Sequence, residues 1–170
     1  MKTKILFEEK QRFSDTWMLH LMIGITILSI VVAVVSILHH DSYETESIVG
    51  TSIVVIVFGI ILWIFSISRL ETTIDSTHIY YRFPPFVNNE KKLSSQDITE
   101  LKVRTYRPIW EYGGWGYRLR LRSGRAMTVA GNKGLQLVLS NGKKLLIGTQ
   151  KPEELNRAVK KLRENWKLNA

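Results

Sequence analysis

The sequence predicts a two-helix transmembrane hairpin followed by an all-β barrel of about seven antiparallel strands, capped by one C-terminal α-helix. Three observations carry that expectation. Two apolar runs, residues 17–38 and 48–67, contain no Asp, Glu, Lys or Arg, and each is about the ~20 residues that a helix needs to cross a ~30 Å hydrocarbon core. From residue 70 the hydrophobic period changes from helical to alternating, in short runs bounded by turn residues. Residues 152–166 then return to a helical period with one apolar face.

The expected organisation follows in chain order. Residues 1–16 mix Lys, Glu and Phe without a sustained period and read as a cytoplasmic N-terminal arm, with an interfacial helix on Ile5, Leu6, Phe7 and Phe13 as one form of it. Transmembrane helix 1 spans 17–38, a short non-cytoplasmic loop 39–47, transmembrane helix 2 48–67, and a cytoplasmic domain 68–170. Lys2, Lys4, Lys10 and Arg12 precede the first run and Arg69 follows the second, whereas the connector carries Asp41, Glu44 and Glu46 and no cation. The positive-inside rule therefore expects a multi-pass protein of the cell (inner) membrane with both termini cytoplasmic. A cleaved signal peptide does not fit, because the apolar run is too long and Ser36-Ile37-Leu38-His39-His40 is not a small-x-small site.

Small residues recur within both runs: Thr26, Ser29, Ala33 and Ser36 in the first, and Ser52, Gly59 and Ser66 in the second. Such stripes let helices approach closely, so the two seams are expected to face each other, with a self-association or channel-lining surface as the alternative. His20 reads as a satisfied histidine near the end of the first run rather than a proton relay, having no acidic partner in either span. His39 and His40 beside Asp41 lack a further spaced ligand, so no metal site is expected there.

The charge lies in the C-terminal part. Residues 69–170 hold 20 of the 24 Lys and Arg residues and 9 of the 15 Asp and Glu. That length supports one core and not two domains. The chain has no Cys, which excludes disulfides, thiolate metal sites and cysteine nucleophiles.

Seven strands are expected, at 70–75, 78–83, 98–106, 117–122, 125–130, 135–140 and 143–148. Asn141-Gly142 between LQLVLS and KKLLIG is the strongest hairpin signal, Ser123-Gly124 marks another, and Pro84-Pro85 ends the second strand. In the final helix Pro152 stands at the start, Glu153 and Glu154 in the first turn, and Lys160, Lys161, Arg163 and Lys167 towards the end, as the helix dipole favours. Leu155, Ala158, Val159, Leu162 and Trp166 share its apolar face.

The run GNKGLQLVLSNGKKLLIGTQKPEELNRAVKKL, residues 131–162, resembles the end of bacterial pleckstrin-homology-like (PH-like) domains: a last hairpin, an I-G-T turn and a P-E-E-L helix start. Two helices followed by LETTID and HIYYRFP likewise resemble the small membrane-anchored members of that group. The resemblance spans about residues 70–168 and implies a PH-like barrel and a membrane tether, with no reaction attached.

No enzyme is expected. Position 137 is Leu where a phosphate loop ending at Gly142-Lys143 would need Gly, and neither H-E-x-x-H nor G-x-S-x-G occurs. Asp75, Ser76 and His78 fall in one tight turn with no scaffold to hold a triad. No cofactor is expected either.

Two constellations remain as candidate binding sites. Arg118, Arg120 and Arg122 alternate with leucines, so the strand period places three guanidinium groups on one face, and Lys102 and Arg104 repeat the pattern. Such a face is either a solvated exterior that discourages edge pairing or a site for anionic lipid head groups or an acidic partner segment. Nucleic acid is not expected, since no recognition motif is present. The loop Tyr106–Tyr117 holds five aromatic residues and three glycines. Trp115 and Tyr117 are expected to complete the core, and Trp110 to meet the membrane interface or a partner. The expected function is a membrane-anchored, non-catalytic docking or scaffolding module, integral to the membrane and able to self-associate. The alternative is an accessory subunit of a membrane transport or envelope-stress complex.

Overall fold

The structure is a computed structural model that describes residues 4–39 and 45–166, without the side-chain surroundings of residues 18, 36, 37, 39, 45–48 and 51. The chain divides into two compact units, Phe13–Ser68 and a second made of the segments before and after it.

The first unit holds helices α1 (Trp17–His39) and α2 (Thr45–Ile67), which pack together. In α1 the inward stripe is Leu19, Met22, Thr26, Ser29 and Ala33; in α2 it is Val55, Phe58, Leu62 and Phe65. Thr26, Ser29 and Ala33 of α1 face inward as expected, the side chain of Ser36 lying outside the described ones, but the small residues of α2 do not: Ser52, Gly59 and Ser66 are exposed, and Val55, Phe58, Leu62 and Phe65 are half-buried instead. Hydroxyls on both helices are satisfied locally, Thr26 donating to the Met22 carbonyl at 2.8 Å and Ser66 to that of Leu62 at 2.8 Å. His20 lies with Nδ1 3.3 Å from the Thr16 carbonyl. His40 and Asp41 lie outside the described residues.

Here the structure corrects the sequence reading. Among the described residues no helix is long and apolar enough to cross a membrane. The transmembrane hairpin, the lipid-facing membrane protein and the multi-pass inner-membrane location expected above are therefore set aside.

Among the described residues the second unit has nine strands, two more than expected. One sheet has the order β1 (Ile5–Arg12), β2 (Arg69–Asp75), β3 (Ile79–Phe83), β4 (Val87–Leu93), antiparallel throughout. The other has the order β5 (Ile98–Thr105), β8 (Lys133–Leu139), β9 (Lys144–Thr149), β7 (Gly124–Thr128), β6 (Gly116–Arg120). In it β7 runs parallel to β9, so the expected seven-stranded, wholly antiparallel barrel is corrected to two sheets with one parallel pair. The crossover places β8 and β9 between β5 and β7, so the last hairpin is central and β6 becomes an edge.

Residues 5–12, expected as an arm, form β1. Its partner is β2, in a register that sets Arg12 opposite Arg69. Every second residue of the segment is buried: Phe7, Glu9, Gln11 and then Phe13. The core of this unit draws on Leu70, Ile74, Ile79 and Phe83 from one sheet and Leu101, Met127, Leu135, Leu137 and Ile147 from the other.

Helix α3 (Pro152–Trp166) packs on β5, β1 and β8 and buries Leu155, Ala158, Val159 and Leu162, as its apolar period requires. Burying such side chains contributes ~1.5–3 kcal/mol each. Trp166 is only half-buried, and its indole N–H donates to the Thr77 carbonyl at 3.1 Å. Asn165 donates to the Ser76 carbonyl at 3.1 Å, so the end of α3 is tied to the β2–β3 turn.

Candidate functional site: a basic groove beside an edge strand

Two turns shape the site. The β8–β9 hairpin turns at Asn141-Gly142, as the sequence predicted, with Gly142 at φ +77° and the Asn141 side chain accepting the Lys143 N–H at 3.0 Å. The β6–β7 connection turns through Leu121-Arg122-Ser123 into Gly124. Gly124 has φ +80°, and a Cβ there would lie 2.3 Å from the Lys144 carbonyl oxygen. Only glycine therefore lets β7 approach β9 this closely.

Between these two turns lies a groove of about 650 Å³. Its floor and walls are Tyr81, Leu119, Leu121, Leu139 and Leu145. Around them stand Arg120, Arg122, Arg125, Lys143 and Lys144, and no lining residue is acidic. Register explains the mixture. Leu119 pairs with Arg125 and Arg125 with Leu145, a single row across three strands, while Arg120 pairs with Gly124 one step along. Arg125 sits over the Tyr117 ring at 5.7 Å, a cation–π contact. Tyr117 in turn stacks on Phe86 at 5.6 Å and 5° between planes, which links β6 to the β3–β4 turn.

The aromatic loop covers the opposite face of the sheet. Residues Pro108–Tyr112 make one π-helical turn that ends on Gly113 at φ +76°. Tyr106 and Tyr112 meet edge to face at 6.1 Å and bury Ala126 and Leu146 beneath them. The core aromatics of the loop are thus Tyr106 and Tyr112, not Trp115 and Tyr117, which are half-buried. The Trp115 indole N–H donates to the Gly131 carbonyl at 2.8 Å. Burial pushes the Tyr106 phenol up to about 12.

The six residues singled out from the sequence separate into four places. Arg122 lines the groove; Arg120 borders it, but its guanidinium lies on the other face of the sheet, against Gly113 of the aromatic loop. Arg118 lies beside them on β6, donating from Nε to the Trp115 carbonyl at 3.0 Å. Lys102 is on β5, at the far edge of the sheet, paired with Glu100 at 2.7 Å. Arg104 is structural: its guanidinium reaches Glu111 at 2.7 Å and Gln136 at 3.1 Å, holding the π-helical turn on the sheet. That hydrogen bond is also the first cause of the lowered Glu111 pKa and the raised Arg104 pKa. Trp110 stands 86 % exposed on the same turn. Arg125, Lys143 and Lys144 were not singled out, because only the strand order brings them to Arg120 and Arg122.

Ion pairs and turns elsewhere engage several carboxylates. On the four-stranded sheet Glu71 meets Lys10 at 3.2 Å and Arg69 at 3.1 Å as well as Arg82, and the Arg82 hydrogen bond is the main reason its pKa is lowered. Asp75 accepts the backbone N–H groups of Thr77 and His78 at 2.7 and 2.6 Å, so its carboxylate closes a turn.

The fold and groove define a two-sheet β unit with an uncompensated basic site over an apolar floor. No family model matches the chain, and neither a curated protein nor a solved structure matches it.

Proposed function

We propose that the β unit is a non-catalytic docking module that holds an acidic partner in the groove between the β6–β7 and β8–β9 turns. One observation carries this reading: Arg120, Arg122, Arg125, Lys143 and Lys144 are among the residues that line the groove, and no lining residue is acidic.

Magnitudes decide what the partner must bring. An exposed ion pair is worth ~0.2–1 kcal/mol, so five together reach at most the low end of the ~4–15 kcal/mol that association costs. The apolar floor has to contribute, at ~25 cal/mol per Å² covered. The ligand is therefore acidic and partly apolar.

Fluorescence anisotropy of a short labelled peptide of glutamate and leucine, titrated with the full-length chain, tests this. Arg122→Glu with Lys143→Glu should weaken binding by roughly a hundredfold at low salt, and less as salt screens the charges. A double variant that binds as well as the parent, or a lysine–leucine peptide that binds equally, would sink the proposal.

A further inference from the structure

The face of β6 turned away from the groove carries a second basic feature. Arg118 and Arg120 alternate with Tyr117 and Leu119, so both guanidinium groups leave the strand on the side of the aromatic loop. Arg118 stands opposite Ala126, which Tyr106 and Tyr112 cover on that same side.

The loop gives the two side chains a seat. Gly113 and Gly114 have φ +76° and +116°, and the space left by their missing side chains is taken by arginine. A Cβ on Gly113 would lie 2.6 Å from Arg120 Nη2, and one on Gly114 would lie 3.6 Å from Arg118 Nη2. Arg118 also donates from Nε to the Trp115 carbonyl at 3.0 Å. Two guanidinium groups rooted ~7 Å apart on one strand are thereby laid against consecutive residues of one turn.

Among the described residues no ion pair reaches either arginine. Glu111, the one acidic residue of the loop 106–117, is engaged by Arg104 at 2.7 Å and by the Arg107 N–H at 2.7 Å. The Gly113 and Gly114 N–H groups donate to the Ile109 and Pro108 carbonyls. The turn therefore supplies the seat and the arginines supply the donors.

One planar guanidinium fork already matches both oxygens of a carboxylate, whereas a phosphate monoester presents three terminal oxygens and close to two charges, enough for two forks at once. We propose that Arg118 and Arg120, seated on the Gly113-Gly114 turn, form a binding site for a phosphate monoester on the outer face of the five-stranded sheet. This site is separate from the groove and does not depend on the docking reading.

The test titrates the full-length chain with glycerol phosphate, with acetate at equal ionic strength as the control, and follows by NMR the Nε–H signals of Arg118 and Arg120 and the amides of Gly113 and Gly114. Glycerol phosphate should move these four signals together, and acetate should not. Arg118→Gln and Arg120→Gln should each weaken binding roughly tenfold. Arg118→Lys, which keeps the charge and loses the fork, should recover only part of that. Arg122→Gln with Lys143→Gln, at the groove, should leave the titration unchanged. Vesicles of phosphatidic acid identify the source of the phosphate: tighter binding per phosphate than glycerol phosphate, through the same two arginines, assigns a lipid head group, and equal binding assigns a soluble monoester. Unmoved signals, an equal response to acetate, or a lysine variant that binds as well as the parent would overturn the site. Weakening by the groove pair in place of the β6 variants would also overturn it, and would leave acidic docking in the groove standing.

Discussion

The carboxylate of Glu9 accepts the hydroxyl of Thr149 at 2.6 Å, although 139 residues separate them in the chain and each is almost fully buried. Its other oxygen accepts the Gln150 N–H at 2.9 Å, and Thr149 Oγ1 accepts the N–H of Lys151 at 3.0 Å. Gln11, two residues on, donates to the Gly148 carbonyl at 2.9 Å. The first strand thus ties one sheet to the last strand of the other, at the point where the chain turns into α3.

Thr149→Val removes one partner from a buried carboxylate while nearly preserving shape. Leaving such a group short of a hydrogen bond costs ~1–3 kcal/mol, more when it is charged. Denaturant unfolding of the full-length chain should show that loss. A Glu9→Gln, Thr149→Val double variant that costs the full sum of the two single changes would show that the residues act independently, contrary to the geometry.

Leu162 is fully buried under α3 and Lys161 beside it is exposed. Leu162→Ala should cost ~2–5 kcal/mol, whereas Lys161→Ala should stay within ~0.5. Equal effects in thermal or denaturant unfolding would mean that the helix buries another face.

Glu111 has its pKa lowered below the ordinary 4.5, first by the Arg104 hydrogen bond. A carboxyl depressed in the folded state contributes stability above its unfolded pKa, and that contribution is lost as pH falls through the folded value. The parent should therefore lose part of its stability below about pH 4.5, and Arg104→Gln should reduce that part of the loss. NMR titration of the Glu111 side chain should move back towards 4.5 in the variant; an unmoved midpoint would refute the assignment.

Tyr106 works in the opposite direction. Its phenol is raised from 10.0 to about 12 by burial, so the unfolded chain gives up that proton first and stability falls as pH rises between those values. Tyr106→Phe keeps the ring, removes this source of alkaline loss, and should shift unfolding at high pH upward. Ultraviolet titration of the folded parent should show a phenol ionising last that the variant lacks.

The seven strands from β2, β3 and β5 to β9 were legible because apolar residues alternate in them between Gly, Pro and Asn signals. The face of α3 was legible from its period. Strand β1 was not, because two of its inward positions are Glu9 and Gln11, so the alternation Phe7, Glu9, Gln11, Phe13 does not look apolar. Strand β4 was hidden for another reason: Val87–Leu93 reads VNNEKKL, and all five residues between its ends are exposed. The parallel β7–β9 pairing has no local signature at all. The same applies to the site: Arg118, Arg120 and Arg122 sit on one stretch and declare themselves by spacing, whereas Arg125, Lys143 and Lys144 join them only through register. The helices marked the limit from the other side, since an apolar run alone does not establish what surrounds it.

Arg12 and Arg69 stand opposite each other on neighbouring strands, so the whole helical unit is an insertion into a single hairpin. Its entry and exit are the two sides of one rung of the ladder, which makes residues 13–68 exchangeable as a cassette: a tight turn could close the gap with little change of path. The same geometry makes the N-terminus an obligatory component. A fragment beginning at residue 69 would lack the strand that reaches Gly148 and Thr149, and would expose β2 as a vacant edge able to accept residues 5–12 from a separate peptide, reassembling one unit from two chains.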